Sequence, residues 1–464
     1  MNLHRLLMKR AADHNPLRIL LIGAGKFGSM FLSQVRRTPG MHVVAVADLD
    51  PPRARQSLAR VGWPPEQYDA HTLDAALRAG STCITDDALA AIASDTVNIV
   101  IDATGSPAAG IRHATACVRH GKHIVMVNVE ADALAGPLLA HRAAQAGLVY
   151  SLAYGDQPAL ICEMVDWART AGFEVVAAGK GTKFLPAYHD STPDTVWGHY
   201  GFSREQVANG DFNAQMFNSF LDGTKSAIEM AAVANASGLT PAPGGLGFPA
   251  CGVDDLPRVL KPRGEGGVLH HRGQVEVVSS LERDGQPVFR DLRWGVYVTF
   301  AGDSDYVRRC FNEYGLLTDQ SGNYTAMYKP YHLIGLELGI SVASAGLRGE
   351  ATGAPNDFRA DAVAVAKRDL AAGAMLDGEG GYTVYGRLMP AADSLRVGAL
   401  PIGLAHGMKL TRAVKKGEAM SWQDVNSPDS EAVLIRRDME RLYMAGTAQQ
   451  STTEPRTALT SVRP

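Results

Sequence analysis

The chain has 464 residues, of which 46% are apolar and 20% are charged, so it can bury a core and is not a disordered chain. Lys and Arg number 45 against 48 Asp and Glu, and the resulting net charge of −3 argues against a general nucleic-acid-binding protein. At roughly 100–200 residues per domain, this length predicts two to four domains. The composition favours a soluble multidomain enzyme with a small-molecule substrate.

The five cysteines are scattered along the chain, at positions 83, 117, 162, 251 and 310. Because their number is odd and no CxxC or Cys/His cluster occurs, a disulfide framework and a structural zinc site are disfavoured. No apolar run reaches the ~18 residues of a membrane span, and residues 1–16 lack the hydrophobic segment of a signal peptide. We therefore expect reduced thiols and a cytoplasmic protein without a membrane partner.

The first part of the chain alternates between apolar runs and amphipathic stretches. The spacing of Leu3, Leu6 and Leu7 predicts a short amphipathic helix at the start. Strands are then predicted at 17–22, 42–47, 97–102, 123–128 and 147–153, with helices at 29–37 and 110–121. This βαβ alternation is typical of a doubly wound parallel sheet, and we place such an α/β, Rossmann-type domain at 1–153.

A glycine-rich turn follows the first predicted strand. Residues 23–28, Gly-Ala-Gly-Lys-Phe-Gly, fit the G-x-G-x-x-G pattern of dinucleotide-binding turns. Gly23 makes the tight turn, Gly25 admits a pyrophosphate close to the backbone, and Gly28 lets the helix pack on the strand. Lys26 and Phe27 stand at the helix start, whose N–H groups would face the phosphates. We expect NAD(H) or NADP(H) as the cofactor.

The choice between the two nicotinamide cofactors stays open from the sequence. Asp48 follows Gly28 by 20 residues, the spacing of a carboxylate that binds the free ribose hydroxyl of NAD. Arg53 and Arg55 follow closely and suit the 2′-phosphate of NADP. Residues at the ends of two later strands are expected near the nicotinamide, where the sheet order reverses: Thr104, Gly105, Asn128 and Glu130.

The pattern changes after residue 153. Strands are predicted at 173–178, 275–280 and 288–300, a helix at 219–238, Gly- and Pro-rich loops at 240–275, and a helix at 332–345 that packs back on the first domain. We assign 154–350 to an α+β domain for substrate binding and oligomerisation. The phrases 366–376 and 410–420 are similar and predict hairpin turns in a small β-rich domain at 351–445. The Thr-, Ser- and Gln-rich tail 446–464 is predicted to be disordered.

Several phrases resemble homoserine dehydrogenases. They are Gly23–Met30 and Asp102–Pro107 in the first domain. Further phrases look closer to a homoserine-dehydrogenase-like group with a C-terminal SAF domain: Val127–Asp132, Ala153–Pro158, Gly179–Lys183, Phe220–Lys225 and Gly380–Gly386. That group includes the deoxyxylulose-phosphate-reductoisomerase-like (DRL) enzyme, which makes methylerythritol phosphate with NADPH and a divalent metal. The resemblance extends to about residue 440 and implies an SAF-like fold for 351–445.

The resemblance also points to the helix at 219–238. Homoserine dehydrogenases carry an Asp and a Lys four residues apart on this helix, and Lys225 and Glu229 occupy those positions with the charges reversed. The pair lies on one helix face, and Asp222 is close to it. A lone carboxylate in an apolar run needs a partner, and such a pair can be tuned for acid–base work. Homoserine itself is therefore not the favoured substrate.

Other polar residues complete the candidate catalytic set. Lys180 and Lys183 follow a predicted strand and suit a substrate phosphate or carboxylate, or the polarisation of a carbonyl. Tyr188 and His189 are further acid–base candidates. Asp156, Asp222 and Glu229 offer the oxygen ligands that Mg²⁺ or Mn²⁺ prefers.

These observations favour an NAD(P)H-dependent oxidoreductase acting on a small polar oxo or hydroxy compound, with or without a phosphate group. Its sharper version is the reductoisomerisation of deoxyxylulose phosphate to methylerythritol phosphate. A sugar-acid or homoserine-type dehydrogenase is the enzymatic alternative. A non-catalytic cofactor-sensing or carbohydrate-binding protein is the alternative of another class. A homo-oligomer is expected.

Overall fold

The structure is a computed structural model that describes residues 2–209 and 212–450, with the side chains of 209 and 446–450 left aside. The helices of the first 170 residues are α1 (Leu3–Ala12), α2 (Lys26–Val35), α3 (Pro51–Arg60), α4 (Leu73–Ala79), α5 (Ala88–Ala93), α6 (Pro107–Arg119), α7 (Val129–Gln145) and α8 (Gln157–Thr170). The strands of the same part are β1 (Leu17–Ile22), β2 (Met41–Ala47), β3 (Cys83–Thr85), β4 (Ile99–Asp102), β5 (His123–Met126) and β6 (Tyr150–Leu152).

The later helices are α9 (Val196–Tyr200), α10 (Arg204–Asn209), α11 (Ala214–Leu221), α12 (Thr224–Ser237), α13 (Leu256–Val259), α14 (Asp305–Glu313), α15 (Gly339–Arg348), α16 (Ala391–Val397), α17 (Ile402–Ala405) and α18 (Glu431–Gln450). The later strands are β7 (Glu174–Thr182), β8 (Gln274–Ser279), β9 (Val296–Ala301), β10 (Tyr324–Lys329), β11 (Ala360–Ala366), β12 (Val384–Pro390), β13 (Lys409–Leu410) and β14 (Val425–Asn426). Within the described chain, no helix is both long and apolar enough to cross a membrane.

The first six strands form one sheet in the order β3-β2-β1-β4-β5-β6, and all neighbours are parallel. This is the doubly wound order of a dinucleotide-binding domain, with the reversal between β1 and β4. The strands are apolar on both faces because helices cover both faces. The prediction of a Rossmann-type domain is therefore confirmed. The elements predicted from the sequence did not include β3 or helices α3, α4, α5 and α7.

The glycine turn has the geometry that its residues require. Gly23 has a φ of +96°, which a residue with a side chain rarely adopts. A Cβ on Gly28 would lie 2.1 Å from the carbonyl oxygen of Gly23, so only glycine lets α2 pack this close to the turn. At Gly25, by contrast, no atom lies within 4 Å of a built Cβ. The backbone before α2 therefore faces open space.

A second sheet has the order β10-β9-β7-β8 and is mixed, with β7 and β8 parallel and the other neighbours antiparallel. It confirms the α+β character predicted for this part of the chain. Strand β7 continues to Thr182, so Lys180 lies within the strand and not after it as the sequence suggested. Strand β9 begins at Val296, and the first half of the strand predicted at 288–300 is loop.

The helix predicted at 219–238 is two helices, because the chain turns at Gly223, which has a φ of +91°. The first of them, α11, ends at Leu221, and α12 begins at Thr224. The helix predicted at 332–345 begins only at Gly339. It packs on the first domain as expected, since Val342 shares a core with Leu3 and Ile19.

The third segment packs directly on the second domain. Ala364 of β11 and Ala231 of α12 belong to one buried core. The two similar phrases pair with each other, through antiparallel bridges from Leu370 to Val414 and from Met375 to Lys409. Each phrase contains a turn, but these bridges join it to the other phrase, so the pairing differs from the predicted hairpins. Helix α18 extends to Gln450, five residues into the tail predicted to be disordered. Residues 451–464 lie outside the described part of the chain. The five cysteines are unpaired, as expected.

Candidate active site

A cavity of about 640 Å³ opens where the carboxyl ends of the Rossmann strands meet the second domain. Its walls include many of the residues that the sequence singled out: Lys26, Phe27, Thr104, Gly105, Glu130, Lys180, Lys183, Lys225 and Glu229. The fold thus brings the predicted nicotinamide end of the cofactor site and the predicted catalytic residues into one space. The position agrees with the rule that ligands bind at the switch point of a doubly wound sheet.

The ribose end of the cofactor site carries both an acid and an arginine. The buried Asp48 carboxylate accepts hydrogen bonds from the Ala24 backbone N–H, at 2.8 Å, and from the Arg53 guanidinium, at 3.0 Å. Arg53 itself is 59% exposed. Arg55 donates to the Tyr68 carbonyl instead, at 3.1 Å, and takes no part in this group. Asp48 therefore fixes the glycine turn while Arg53 covers the carboxylate from the solvent side.

The ends of β4 and β5 are joined by a buried polar network below the cavity. Asp102 accepts hydrogen bonds from the backbone and hydroxyl of Thr104, at 3.0 and 2.8 Å, and its other oxygen lies 2.6 Å from His113 Nδ1. Asn128 caps α7 by accepting from the Ala131 N–H and donates to the Ser106 carbonyl. The side chain of Asn128 is thus occupied beneath the cavity wall, whereas Thr104 and Gly105 line the cavity.

Lys225 and Glu229 both line the cavity, but each pairs with a residue of another element. The Lys225 ammonium donates to Glu130, near the start of α7, so this pair links the second domain to the Rossmann domain. Burial lowers the pKa of Lys225, but the surrounding carboxylates, Glu130 foremost, outweigh it and hold that pKa well above its usual value. Lys225 therefore stays protonated at neutral pH.

The second pair joins β7 to α12. Lys180 donates to Glu229 and, at 3.0 Å, to Gln157 Oε1. Both charged groups are less than a tenth exposed, so each needs the other to be tolerated. Asp156 caps α8 beside them by accepting from the Gln157 N–H at 2.8 Å. Burial, reinforced by the charge of Glu229, raises the pKa of Asp156 to about 7.

Asp222 lies outside the cavity, contrary to its predicted place beside Lys225 and Glu229. Its carboxylate accepts from the Thr224 N–H at the start of α12 and lies 2.7 Å from the Lys367 ammonium of the third segment. Its role is to hold that segment on the helix. Asp156 and Glu229 line the cavity whereas Asp222 does not, and among the described residues these three carboxylates do not form a metal-binding group.

The described residues contain no group of three or more His, Cys, Asp or Glu side chains that could hold a metal ion. In the cavity, Glu130 and Glu229 are each engaged by a lysine. The donor set therefore does not fit a Mg²⁺ or Mn²⁺ ion.

Tyr188 is buried among apolar residues, and His189 donates to the Asp222 carbonyl at 2.7 Å and stacks on Tyr385. Neither of these two acid–base candidates lines the cavity.

Two cations at the far wall of the cavity form no ion pair among the described residues. Lys183 donates to the His199 carbonyl at 2.6 Å, and the Arg293 guanidinium lies 4.7 Å from the Trp294 ring centre. Both lie 5.8 Å from the ring centre of Tyr200, so they share one site. Burial, and then the charge of Arg293, lower the pKa of Lys183. Such a pair attracts an anion.

Several cavity residues were not found from the sequence, and among them are Arg293, His332 and Glu379. Arg293 falls in a segment predicted as strand, and its place depends on the turn before β9. His332 falls in a segment predicted as helix. Glu379 is the one acid between glycines in Gly378-Glu-Gly-Gly381, directly before a phrase that carries the family resemblance. This single acid among glycines is the sequence feature that could have indicated a functional residue at position 379.

This fold and cavity define a nicotinamide-nucleotide-dependent oxidoreductase. Residues 155–338 match the family model described as oxidoreductase DRL, catalytic domain, and residues 23–150 match the NAD-binding domain of homoserine dehydrogenase. The chain thus carries a DRL-type oxidoreductase catalytic domain behind a homoserine-dehydrogenase-like NAD-binding domain. The resemblance found in the sequence is thereby confirmed; neither match extends to the SAF-like segment.

None of the curated proteins compared with the sequence matches it. Among solved structures, an NAD-binding oxidoreductase from Klebsiella pneumoniae is 20% identical, with a TM-score of 0.28 over 38% of this chain and 45% of that one. The WlbA dehydrogenase from Bordetella pertussis, solved with NADH and UDP-GlcNAcA, is 15% identical, with a TM-score of 0.25 over 36% and 47%. Biliverdin reductase from Synechocystis, solved with biliverdin and NADP⁺, is 17% identical, with a TM-score of 0.26 over 42% and 54%. The chain spans only about half the length of each of these structures.

Proposed function

We propose that this protein interconverts a carbonyl and an alcohol on a small anionic substrate, with NAD(P)(H) as the redox partner. The observation that carries the proposal is the shared cavity. Thr104 and Gly105, at the end of β4, line it together with Lys180 and Lys225, and Lys183 and Arg293 line the same space. A reactive carbonyl and an anionic group on one molecule would meet these features together.

The cofactor site fits a dinucleotide. The open space at Gly25 leaves room for a pyrophosphate at the start of α2, and the Asp48–Arg53 pair stands where the ribose would lie. When bound, the reduced nicotinamide supplies a hydride to the carbonyl carbon. The carbonyl oxygen takes up one proton, so that the products are an alcohol and the oxidised nicotinamide.

Lys225 has the properties of a group that polarises the carbonyl. It is held protonated by Glu130, and that carboxylate fixes its ammonium at the boundary between the two domains. A fixed positive charge beside the carbonyl oxygen stabilises the negative charge that develops on that oxygen. The Lys180–Glu229 pair, steadied by Gln157, forms the adjoining wall and positions the substrate.

The anionic group of the substrate is assigned to Lys183 and Arg293. Two adjacent cations without a carboxylate partner, within the described residues, suit a dianionic phosphate better than a single carboxylate. This favours a phosphorylated substrate, and reductoisomerisation of deoxyxylulose phosphate to methylerythritol phosphate is the specific reaction that we propose. The residues of the cavity account for its reduction step. Because the donor set of the described residues does not fit a divalent metal, the proposal requires the rearrangement of the carbon skeleton to proceed without one. A sugar acid, which would place its carboxylate at the same site, is the second candidate. The homo-oligomer expected from the sequence is proposed here as well, and light scattering would test it.

The test is turnover of NADPH and NADH by the purified protein with deoxyxylulose phosphate, aspartate semialdehyde, and sugar acids with and without phosphate, with reverse reactions included. For the phosphorylated substrate, Arg293→Ala should raise KM by ~10–100-fold, since a charge-assisted hydrogen bond contributes about 1.5–3 kcal/mol. Arg290→Ala is the control, because Arg290 pairs with Asp254 at the surface.

Three outcomes would count against parts of the proposal. Turnover of a sugar acid alone would keep the oxidoreductase and replace the phosphorylated substrate. An unchanged KM for Arg293→Ala would remove the anion site. Tight cofactor binding without any turnover would favour the cofactor-sensing protein instead.

A further inference from the structure

The third segment of the chain contributes one charged side chain to the cavity. Glu379 lies in the loop 377–381, which follows the turn of the first repeated phrase, and it lines the cavity together with Lys225 and Glu130. Neither of the two matched families covers this segment, since the matches end at residue 338. The cavity is therefore built from three parts of the chain rather than from a cofactor domain and a substrate domain alone.

The loop is held against α11 by hydrogen bonds to its backbone. Gln215 Nε2 donates to the carbonyl of Asp377, at 3.2 Å, and to that of Glu379, at 2.8 Å. Asn218, which is buried, donates to the Gly380 carbonyl at 2.9 Å. These three hydrogen bonds fix the main chain on both sides of Glu379 and therefore fix the position of its Cα atom.

The close approach of the loop requires glycine. Gly380 has a φ of +67°, and a Cβ there would lie 2.0 Å from the Gln215 carbonyl oxygen. Lys367 adds a further anchor by donating to the Gly381 carbonyl at 2.8 Å. A loop that only connected two strands would not need this contact. The arrangement places the Glu379 carboxyl group at a defined position in the cavity wall.

The groups that face Glu379 come from α7, α11 and α12. Glu130 and Lys225 line the cavity with it, Ser219 lies beside the carboxyl group while its hydroxyl donates to the Met216 carbonyl at 2.8 Å, and Asp222 is paired with Lys367. Burial, then the charge of Glu130, raise the pKa of Glu379 to about 7, against the opposing effect of Lys225. A carboxyl group in this position can both give and take a proton at neutral pH.

We propose that Glu379 is the group that exchanges the proton with the substrate oxygen beside Lys225. The proposal rests on the proposed function. In the reduction, the hydride forms the new C–H bond, and the oxygen takes the Glu379 proton as the carbonyl π bond breaks. The resulting carboxylate is reprotonated from water. In the oxidation, the carboxylate accepts the alcohol proton. Lys225 stays protonated throughout, and the third segment is part of the active site.

The test compares Glu379→Gln with wild type in the steady-state assay, as a function of pH. We expect kcat to fall ~10²–10⁴-fold, the range for loss of a general acid–base group, and the limb of the pH–rate profile near neutrality to disappear. The affinity for NADPH, measured by fluorescence, should be unchanged. Glu379→Asp keeps a carboxyl group but moves it, so it should retain a limb and part of the rate, with the limb shifted from the wild-type pH. Glu418→Gln is the control, because Glu418 pairs with Arg412 at the surface of the same segment.

The proposal is overturned if wild type turns a substrate over and Glu379→Gln keeps the same profile. If Asp156→Asn loses the limb and Glu379→Gln keeps it, Asp156 and not Glu379 is the group that exchanges the proton. If Glu379→Gln does not fold, the pH–rate profile of Glu379→Asp tests the proposal instead. If Glu379 has only a structural role, the limb of that profile stays at the wild-type pH. If wild type turns over no substrate, the proposed function fails, and this proposal fails with it.

Discussion

Arg436 offers the sharpest test of how the third segment is held in place. Its guanidinium is fully buried and lies 2.5 Å from the Asp361 carboxylate of β11 and 2.9 Å from that of Glu440 on α18. It also donates to the Leu134 carbonyl of α7 at 3.1 Å. One side chain thus joins the C-terminal helix, the third segment and the helix that carries Glu130.

Replacing Arg436 with Met removes the cation and leaves Asp361, which is 1% exposed, without its partner. Breaking a buried ion pair in this way costs about 3–5 kcal/mol. That is a large share of the ~5–15 kcal/mol by which a folded protein is stable. We therefore expect Arg436→Met to lower the urea midpoint markedly, as followed by circular dichroism.

The double variant Arg436→Met with Asp361→Asn should recover part of the lost stability, because the unpaired buried charge is gone. The control is Arg437→Met, whose arginine is 47% exposed and pairs with Glu440 from the surface. That change should cost at most about 1 kcal/mol. The reasoning is refuted if Arg436→Met unfolds within about 1 kcal/mol of wild type, or if the double variant is no more stable than the single one.

Two further predictions concern charges elsewhere in the fold. Burial raises the pKa of Asp132 to about 7, above its unfolded value, so the folded state holds this proton longer and stability falls as pH rises from about 4 to 7. Asp132→Asn should therefore reduce the slope of the unfolding free energy against pH, between about pH 4 and 7, by up to about 1.4 kcal/mol per pH unit. Asp74→Asn, at an exposed position, should leave that slope unchanged. The prediction is contradicted if Asp132→Asn has the same slope as wild type. Arg53→Ala should weaken NADPH binding about tenfold relative to NADH, the loss of ~1.4 kcal/mol expected for one exposed phosphate contact. Fluorescence titration with both cofactors measures the ratio, and an unchanged ratio would show that Arg53 serves only to pair with Asp48.

The Rossmann domain and its glycine turn could be predicted from local features of the sequence alone. A strand of apolar residues, the spacing of Gly23, Gly25 and Gly28, and an acid 20 residues later are local features, and their geometry follows from steric limits within a short stretch of chain. The amphipathic first helix and the face shared by Lys225 and Glu229 are local in the same sense. Here prediction and structure agree because neighbours in sequence decide the outcome.

The elements with weaker patterns were predicted less well. Lys180 was placed after its strand because the glycines at 179 and 181 suggest a turn, yet both lie inside β7. A Cβ at Gly179 would lie 1.8 Å from the Glu276 carbonyl oxygen. These glycines thus permit close packing against neighbouring backbone and do not end the strand, and only the tertiary neighbours reveal that difference.

The charge pairing of the active site was decided by the tertiary structure alone. Lys225 pairs with Glu130, 95 positions away, and Lys180 pairs with Glu229, 49 positions away. Asp222 was assigned to the cavity by its nearness to Lys225 in sequence, but it turns to Lys367 instead. Arg293 and Glu379 carry no local signature strong enough to place them. A buried charge takes whichever partner the packing of distant elements brings within reach, because desolvation makes an unpaired charge costly, and that partner cannot be read from neighbours along the chain.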